Sequence, residues 1–164
     1  MNAPPPPLEP AGLFCVYVLP MAKKVAKKTT ARKKPTRELH GECGCGSVTF
    51  TVKAPVKDVV WCHCSKCQRF HGGPGAYASA PRGAIVFERR DGLAWWDASP
   101  TAQRGFCRQC GASLFFSDSN EPTLSICAGA FAPPTGLKSR AHIFMGSKPD
   151  WYQVKDGLPQ HAAY

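Results

Sequence analysis

The sequence predicts a mostly-β domain with short turns, little helix and bound metal, on three observations. Short runs of β-branched and aromatic residues recur along the chain, most of them bounded by Gly, Pro, Asp or Asn. Prolines return so often that no long helix fits between them. Seven of the nine cysteines fall into three tight groups: Cys43-Gly-Cys45, Cys62-His-Cys64-Ser-Lys-Cys67 and Cys107-Arg-Gln-Cys110-Gly111. Thiolates at such spacing suit zinc, which takes about four ligands in a tetrahedron.

From the N-terminus, residues 1–20 open on four consecutive prolines and show no packing pattern. The apolar run Leu13–Leu19 is too short to span a bilayer. No basic residue precedes it, as one would in a secretory signal. Met21 then opens Met-Ala-Lys-Lys, which reads like a natural translation start and would leave Cys15 irrelevant. Of the 21 basic residues, eight lie between Met21 and Arg37 with no acid among them. From Glu38 onward 13 basic residues face 10 acids, so the net charge of +10 belongs mainly to the tail. Residues 1–37 are therefore expected to be a disordered tail with at most weak, non-specific nucleic-acid contact. Residues 38–164 form the folded domain. Cysteines spaced too closely to bridge one another argue for a reduced, cytoplasmic protein without membrane contact rather than a disulfide scaffold.

Within the domain the expected strands are Ser47–Val52, Val59–Cys62, Ala84–Phe87, Leu93–Trp96, Ser113–Phe116, Leu124–Cys127 and Ala141–Met145. Gly72-Gly-Pro-Gly75 and Pro133-Pro134 read as loops, with a pocket border as a further use.

In extended chain, residues i and i+2 face the same side, so Cys43 and Cys45 present two sulfurs to one point. Cys107-x-x-Cys110-Gly is a zinc-knuckle pattern whose glycine relieves a left-handed position. Joined, these four thiolates close one structural site, with a binding free energy of order 10 kcal/mol or more. Cys62, Cys64 and Cys67 remain, the number a reactive zinc site keeps when one position stays open. His63, His71 or Cys127 could instead close that site, or the two sites could share ligands differently. Cys127, in an apolar run, reads as a buried small hydrophobe. Three thiolates make zinc a feeble Lewis acid toward water, and such a soft site better suits binding a further thiolate. The chemistry implied is at sulfur: addition of a thiol to an electrophile, or the reverse cleavage of a carbon–sulfur bond.

These motifs, with Gly41-Glu-Cys-Gly-Cys-Gly-Ser-Val-Thr-Phe50, Gly105-Phe-Cys-Arg-Gln-Cys-Gly-Ala-Ser-Leu114, His142-Ile-Phe-Met-Gly-Ser-Lys-Pro-Asp-Trp151 and Asp156-Gly-Leu-Pro-Gln160, occur in one order. Over about residues 38–161 the chain resembles the glutathione-dependent formaldehyde-activating enzyme family, which shares its domain with centromere protein V. The resemblance implies an Mss4-like β fold with two zinc ions. One would be structural on Cys43, Cys45, Cys107 and Cys110; the other, labile and catalytic, would sit on Cys62, Cys64 and Cys67. The implied activity is condensation of glutathione, or a similar small thiol, with formaldehyde or a related aldehyde, classed in reverse as a carbon–sulfur lyase. Lys66, Arg69 and Arg104 are the cations expected to meet the thiol's carboxylates, and His63 or His71 the proton relay. Family members often carry Arg after the third cysteine of the middle group, where this chain has Gln68. Two other classes of function remain open on the sequence: a non-enzymatic zinc module with a nucleic-acid-binding tail, and a thiol-responsive zinc sensor.

Overall fold

The computed structural model describes residues 38–164, and the expectations for residues 1–37 lie outside them. Ten strands, one short helix and three 3-10 turns make up the described chain. The strands are β1 (Leu39–Glu42), β2 (Thr49–Val52), β3 (Lys57–Cys62), β4 (Gly75–Pro81) and β5 (Ile85–Arg89), followed by β6 (Leu93–Asp97), β7 (Ala102–Cys107), β8 (Ser113–Asp118), β9 (Thr123–Cys127) and β10 (Ser139–Ile143). Helix α1 (Ser65–His71) lies between β3 and β4. The mostly-β expectation holds.

All seven expected segments contain a strand, with ends displaced by a few residues. Val48 belongs to the turn before β2, and Met145 to a 3-10 turn after β10. The sequence reading did not include β1, β4, β7 or α1. β4 reads Gly-Ala-Tyr-Ala-Ser-Ala-Pro, a run of small residues with low strand propensity. It is strand because it is central, between β3 and β9, where only small side chains fit: Ala78 and Ala80 are each 1% exposed. Helix α1 is seven residues long and begins where the backbone leaves β3 at the second cysteine. Cys64 caps it, its sulfur accepting from the Cys67 N–H at 3.4 Å, and Gly72 ends it in the left-handed conformation.

The strands form two sheets. The smaller runs β1-β2-β5 and is antiparallel. The larger runs β10-β3-β4-β9-β8-β7-β6, antiparallel except for the parallel β10–β3 pair. Between the sheets lies an aromatic core. Phe50 of β2 meets Phe115 of β8 at 5.0 Å between ring centroids, and Phe87 of β5 meets Phe115 at 5.7 Å. Phe131 packs edge-on against Phe50, and Leu114, Ile126, Val48 and Val52 complete the buried set. At these separations rings gain from tilted geometry beyond their buried area. The chain after β10 folds back along it: His142 donates its N–H to Pro159 O, and His161 donates to His142 O. No helix among the described residues is long and apolar enough to cross a membrane.

Candidate metal centres

The β1–β2 turn brings Cys43 and Cys45 to one point, and the β7–β8 turn brings Cys107 and Cys110 to the same point from the other sheet. Gly46 and Gly111 take positive φ in these two turns, at 71° and 73°, which leaves the sulfurs inward. Cys43 and Cys45 sulfurs are 3.6 Å apart, and Cys45 and Cys107 sulfurs 3.7 Å. Four thiolates around a tetrahedral zinc at ~2.3 Å stand about 3.8 Å from one another, so the spacing fits that ion. A disulfide would need about 2.05 Å, and all eight cysteines among the described residues are free. Ser47 Oγ touches the group at 3.2 Å from both Cys45 and Cys107. Burial raises the Cys43 thiol, but the Val48 N–H and the Ser47 hydroxyl outweigh it and bring it down to about 6. The pocket is prepared for negative sulfur.

The second group gathers Cys62 from the end of β3, Cys64 from the turn and Cys67 from α1, with all three sulfurs within 4.8 Å of one another. Cys62 and Cys67 are buried and their sulfurs lie 3.2 Å apart; Cys64 is partly exposed. Contacts with Cys62 and Cys67 pull the Cys64 thiol down to about 2, while the contact with Cys64 pushes Cys62 up. Among the three, Cys64 is the sulfur its neighbours most favour as thiolate. Such a donor set fits a soft divalent cation, and it could hold one with a side left open.

That side faces a cavity of about 490 Å³, whose lining includes Cys62, Cys64, Cys67, Lys66, Tyr77 and Arg104. Its far part is polar and mixed in charge, with Lys57, Asp58, Glu121 and Arg140. Arg104 is 3% exposed and puts Nη1 2.8 Å from Tyr77 Oη and Nη2 3.4 Å from Cys67 Sγ. Tyr77 Oη also lies 2.6 Å from His71 Nε2. Burial, with the charge of Arg104, lowers His71 to about 4, so its imidazole is neutral and accepts the tyrosine hydrogen. Burial raises Tyr77 well above the usual phenol value.

The other sequence candidates fall as follows. Lys66 lines the cavity with its Nζ donating to Ala98 O at 2.9 Å. Arg69 is exposed on α1 and outside the cavity lining, as is the Pro133-Pro134 loop. Gln68 is spent on the backbone: its Nε2 donates to His63 O and Ser147 O, each at 2.6 Å, tying the cysteine turn to the 3-10 turn at Met145–Ser147. Cys127 is buried on β9, and desolvation raises its thiol to about 12. Among the described residues, the ligand atoms that gather at the three-cysteine group are those of Cys62, Cys64 and Cys67.

His63 is fully buried and belongs to a chain. Its Nε2 lies 2.8 Å from His142 Nδ1, and His142 Nε2 lies 2.9 Å from Asp156 Oδ2. With Asp156 accepting from His142 Nε2, His142 Nδ1 accepts from His63 Nε2. The sequence reading assigned no role to Tyr77 or to the His142–Asp156 pair. The spacing of six between His71 and Tyr77 across a glycine loop was the available signal for the first.

Three likenesses to known proteins were found. Residues 38–147 match the family model described as glutathione-dependent formaldehyde-activating enzyme. A Schizosaccharomyces pombe protein named as an uncharacterized lyase is 26% identical over 116 residues, covering 70% of this chain and 84% of that protein. A crystal structure of a Rhodobacter sphaeroides protein aligns with a TM-score of 0.49 at 20% identity, covering 74% of this chain and 98% of the other. The family match runs through all three cysteine groups and through His142, and covers well over half of the chain. The chain belongs to the glutathione-dependent formaldehyde-activating enzyme family.

Proposed function

We propose that this protein adds a small thiol of the glutathione type to formaldehyde or a related aldehyde, and runs the reverse carbon–sulfur cleavage, in a reducing, cytoplasmic setting. The observation that carries this reading is the opening of the Cys62/Cys64/Cys67 group onto a cavity of about 490 Å³, large enough for a peptide-sized thiol. Cys43, Cys45, Cys107 and Cys110 would hold a structural zinc, and Cys62, Cys64 and Cys67 a labile one. Zinc on the three-cysteine group would supply a soft acceptor that keeps the substrate sulfur deprotonated near neutral pH.

The chain's own residues place and discharge the reactants. Cys64 is the partly exposed member of its group, so the substrate sulfur arrives on its side. Lys66, at the cavity wall, meets a substrate carboxylate. Arg69, exposed on α1 and outside the lining, would meet a substrate carboxylate only at the cavity's margin. The substrate thiol gives up its proton and its sulfur attacks the carbonyl carbon. A carbon–sulfur bond forms, the π pair moves to oxygen, and that oxygen takes a proton to yield the S-hydroxymethyl product. The proton the thiol releases reaches that oxygen through solvent in the cavity, while Tyr77, whose hydroxyl accepts from Arg104 and gives its hydrogen to His71, holds the wall.

The test is formaldehyde–glutathione exchange followed by NMR, comparing the zinc-loaded full chain with Cys64→Ser. Acceleration by the parent and its loss in the variant, with the far-UV circular dichroism unchanged, is the expected result. No acceleration by a parent that carries two zinc ions would sink the enzymatic reading.

A further inference from the structure

We propose that Arg104 is the fixed counter-charge of the three-cysteine site: it governs how firmly that site holds zinc and a substrate thiolate, and does not grip a substrate carboxylate. The inference rests on the reading that Cys62, Cys64 and Cys67 hold a metal.

The geometry of the guanidinium carries the argument. It is nearly sealed from solvent, and its two terminal nitrogens are engaged, one by Tyr77 Oη and one by Cys67 Sγ. Its carbon stands 5.2 Å from the ring centroid of Phe70 and 5.2 Å from that of Phe116, so two aromatic rings pack against it. β7 fixes this placement, since Arg104 pairs in register with Phe116 on β8. A bidentate carboxylate grip needs two parallel N–H groups free on one edge. Here one terminal nitrogen already meets a sulfur and the other a phenol oxygen. The remaining Nε–H is buried without a partner in a residue only 3% exposed, so the guanidinium is turned to the cluster rather than offered to a carboxylate.

The charge count points the same way. A divalent cation with three thiolates carries about −1, and a fourth thiolate takes it to about −2. Charge of either sign is costly to bury unless it is paired. A guanidinium does not lose its proton in a protein, so Arg104 supplies a constant positive charge at the sulfur of Cys67. It favours the deprotonated, metal-loaded cluster, and favours still more the state that has accepted a further thiolate. The two ring contacts and the bonds to Tyr77 and Cys67 hold it against the cluster.

The experiment measures zinc affinity in the full chain by chelator competition, with the two zinc equivalents resolved, for the parent, Arg104→Lys and Arg104→Met. Groups that support metal ligands from behind change affinity by about 10- to 100-fold when removed. Arg104→Met should weaken the weaker zinc equivalent by about that factor and leave the tighter one unchanged, and Arg104→Lys should lose less. Turnover with 3-mercaptopropionate and with 2-mercaptoethanol should fall together in Arg104→Met, since the counter-charge serves any thiolate. Equal zinc affinity in parent and Arg104→Met would overturn the proposal, as would a loss confined to the carboxylated thiol. Should Arg104→Met fail to fold, Phe116→Leu decides: it keeps the charge but loosens its holder, and should give a smaller loss at the same equivalent, whereas unchanged affinity would count against the role. A parent that binds two zinc ions but turns over no thiol would remove the enzymatic reading and leave the zinc comparison to judge Arg104. A parent that binds only one zinc would overturn both.

Discussion

Gly41 shows how a single atom is excluded from this core. A Cβ there would lie 2.3 Å from Phe50 Cζ, and Phe50 is the ring on which Phe87, Phe115 and Phe131 converge. Gly41→Ala should therefore destabilise the protein by about 1–3 kcal/mol, read as a lower urea midpoint at unchanged slope. His71 makes a second prediction, on acidity. Its folded value of about 4 lies below the ordinary 6.5, so the unfolded chain binds a proton that the folded chain refuses between those values. Its neutral form costs nothing above pH 6.5; stability is lost as pH falls through the window toward 4 and is fully lost below it. Denaturation at pH 7 and pH 5 should show a steeper drop for the parent than for His71→Gln, and equal drops would contradict the assignment. The cysteines were legible in the sequence at this scale because spacing alone brings their sulfurs together. Arg104 was legible only as a cation: that it packs on Phe116 and reaches Cys67 depends on the β7–β8 register, which no local pattern encodes.

At the scale of elements, the turn from β3 into α1 is held from behind by side chains distant in sequence. Gln68 bridges His63 O and Ser147 O, and the chain His63–His142–Asp156 joins β3, β10 and the C-terminal segment. Gln68→Ala removes both bridging bonds and should cost about 1–3 kcal/mol, with faster amide exchange at the backbone that follows Cys62 as the local sign. The segment after β10 also covers an edge of the larger sheet, through bonds from His142 to Pro159 and from His161 to His142. Ending the chain after Lys155 should lower the melting temperature and raise light scattering on heating, because β10 would then offer unpaired backbone. Strands rich in Val, Ile and Phe were readable from the sequence, whereas β4 and α1 were not. β4 owes its conformation to neighbours on both sides, and α1 is too short to show a period.

Across the whole molecule, the four-cysteine group ties the smaller sheet to the larger, while the three-cysteine group lies within the larger sheet and its helix. With zinc on both, a mild chelator should take the second ion and leave the circular dichroism intact. A strong one should also take the first and unfold the domain, since such sites contribute on the order of 10 kcal/mol. A single cooperative loss of both ions and fold would contradict this division. The separation between Cys45 and Cys107 is 62 positions along the chain. On the ribosome, six thiols therefore emerge before the partners of Cys43 and Cys45 exist. A nascent chain that meets zinc in that interval can seize it with the wrong four sulfurs, so the order of synthesis sets a hazard that the finished fold conceals. Growth under zinc excess should accordingly lower the soluble yield of the full chain more than that of a variant with serine at Cys62, Cys64 and Cys67.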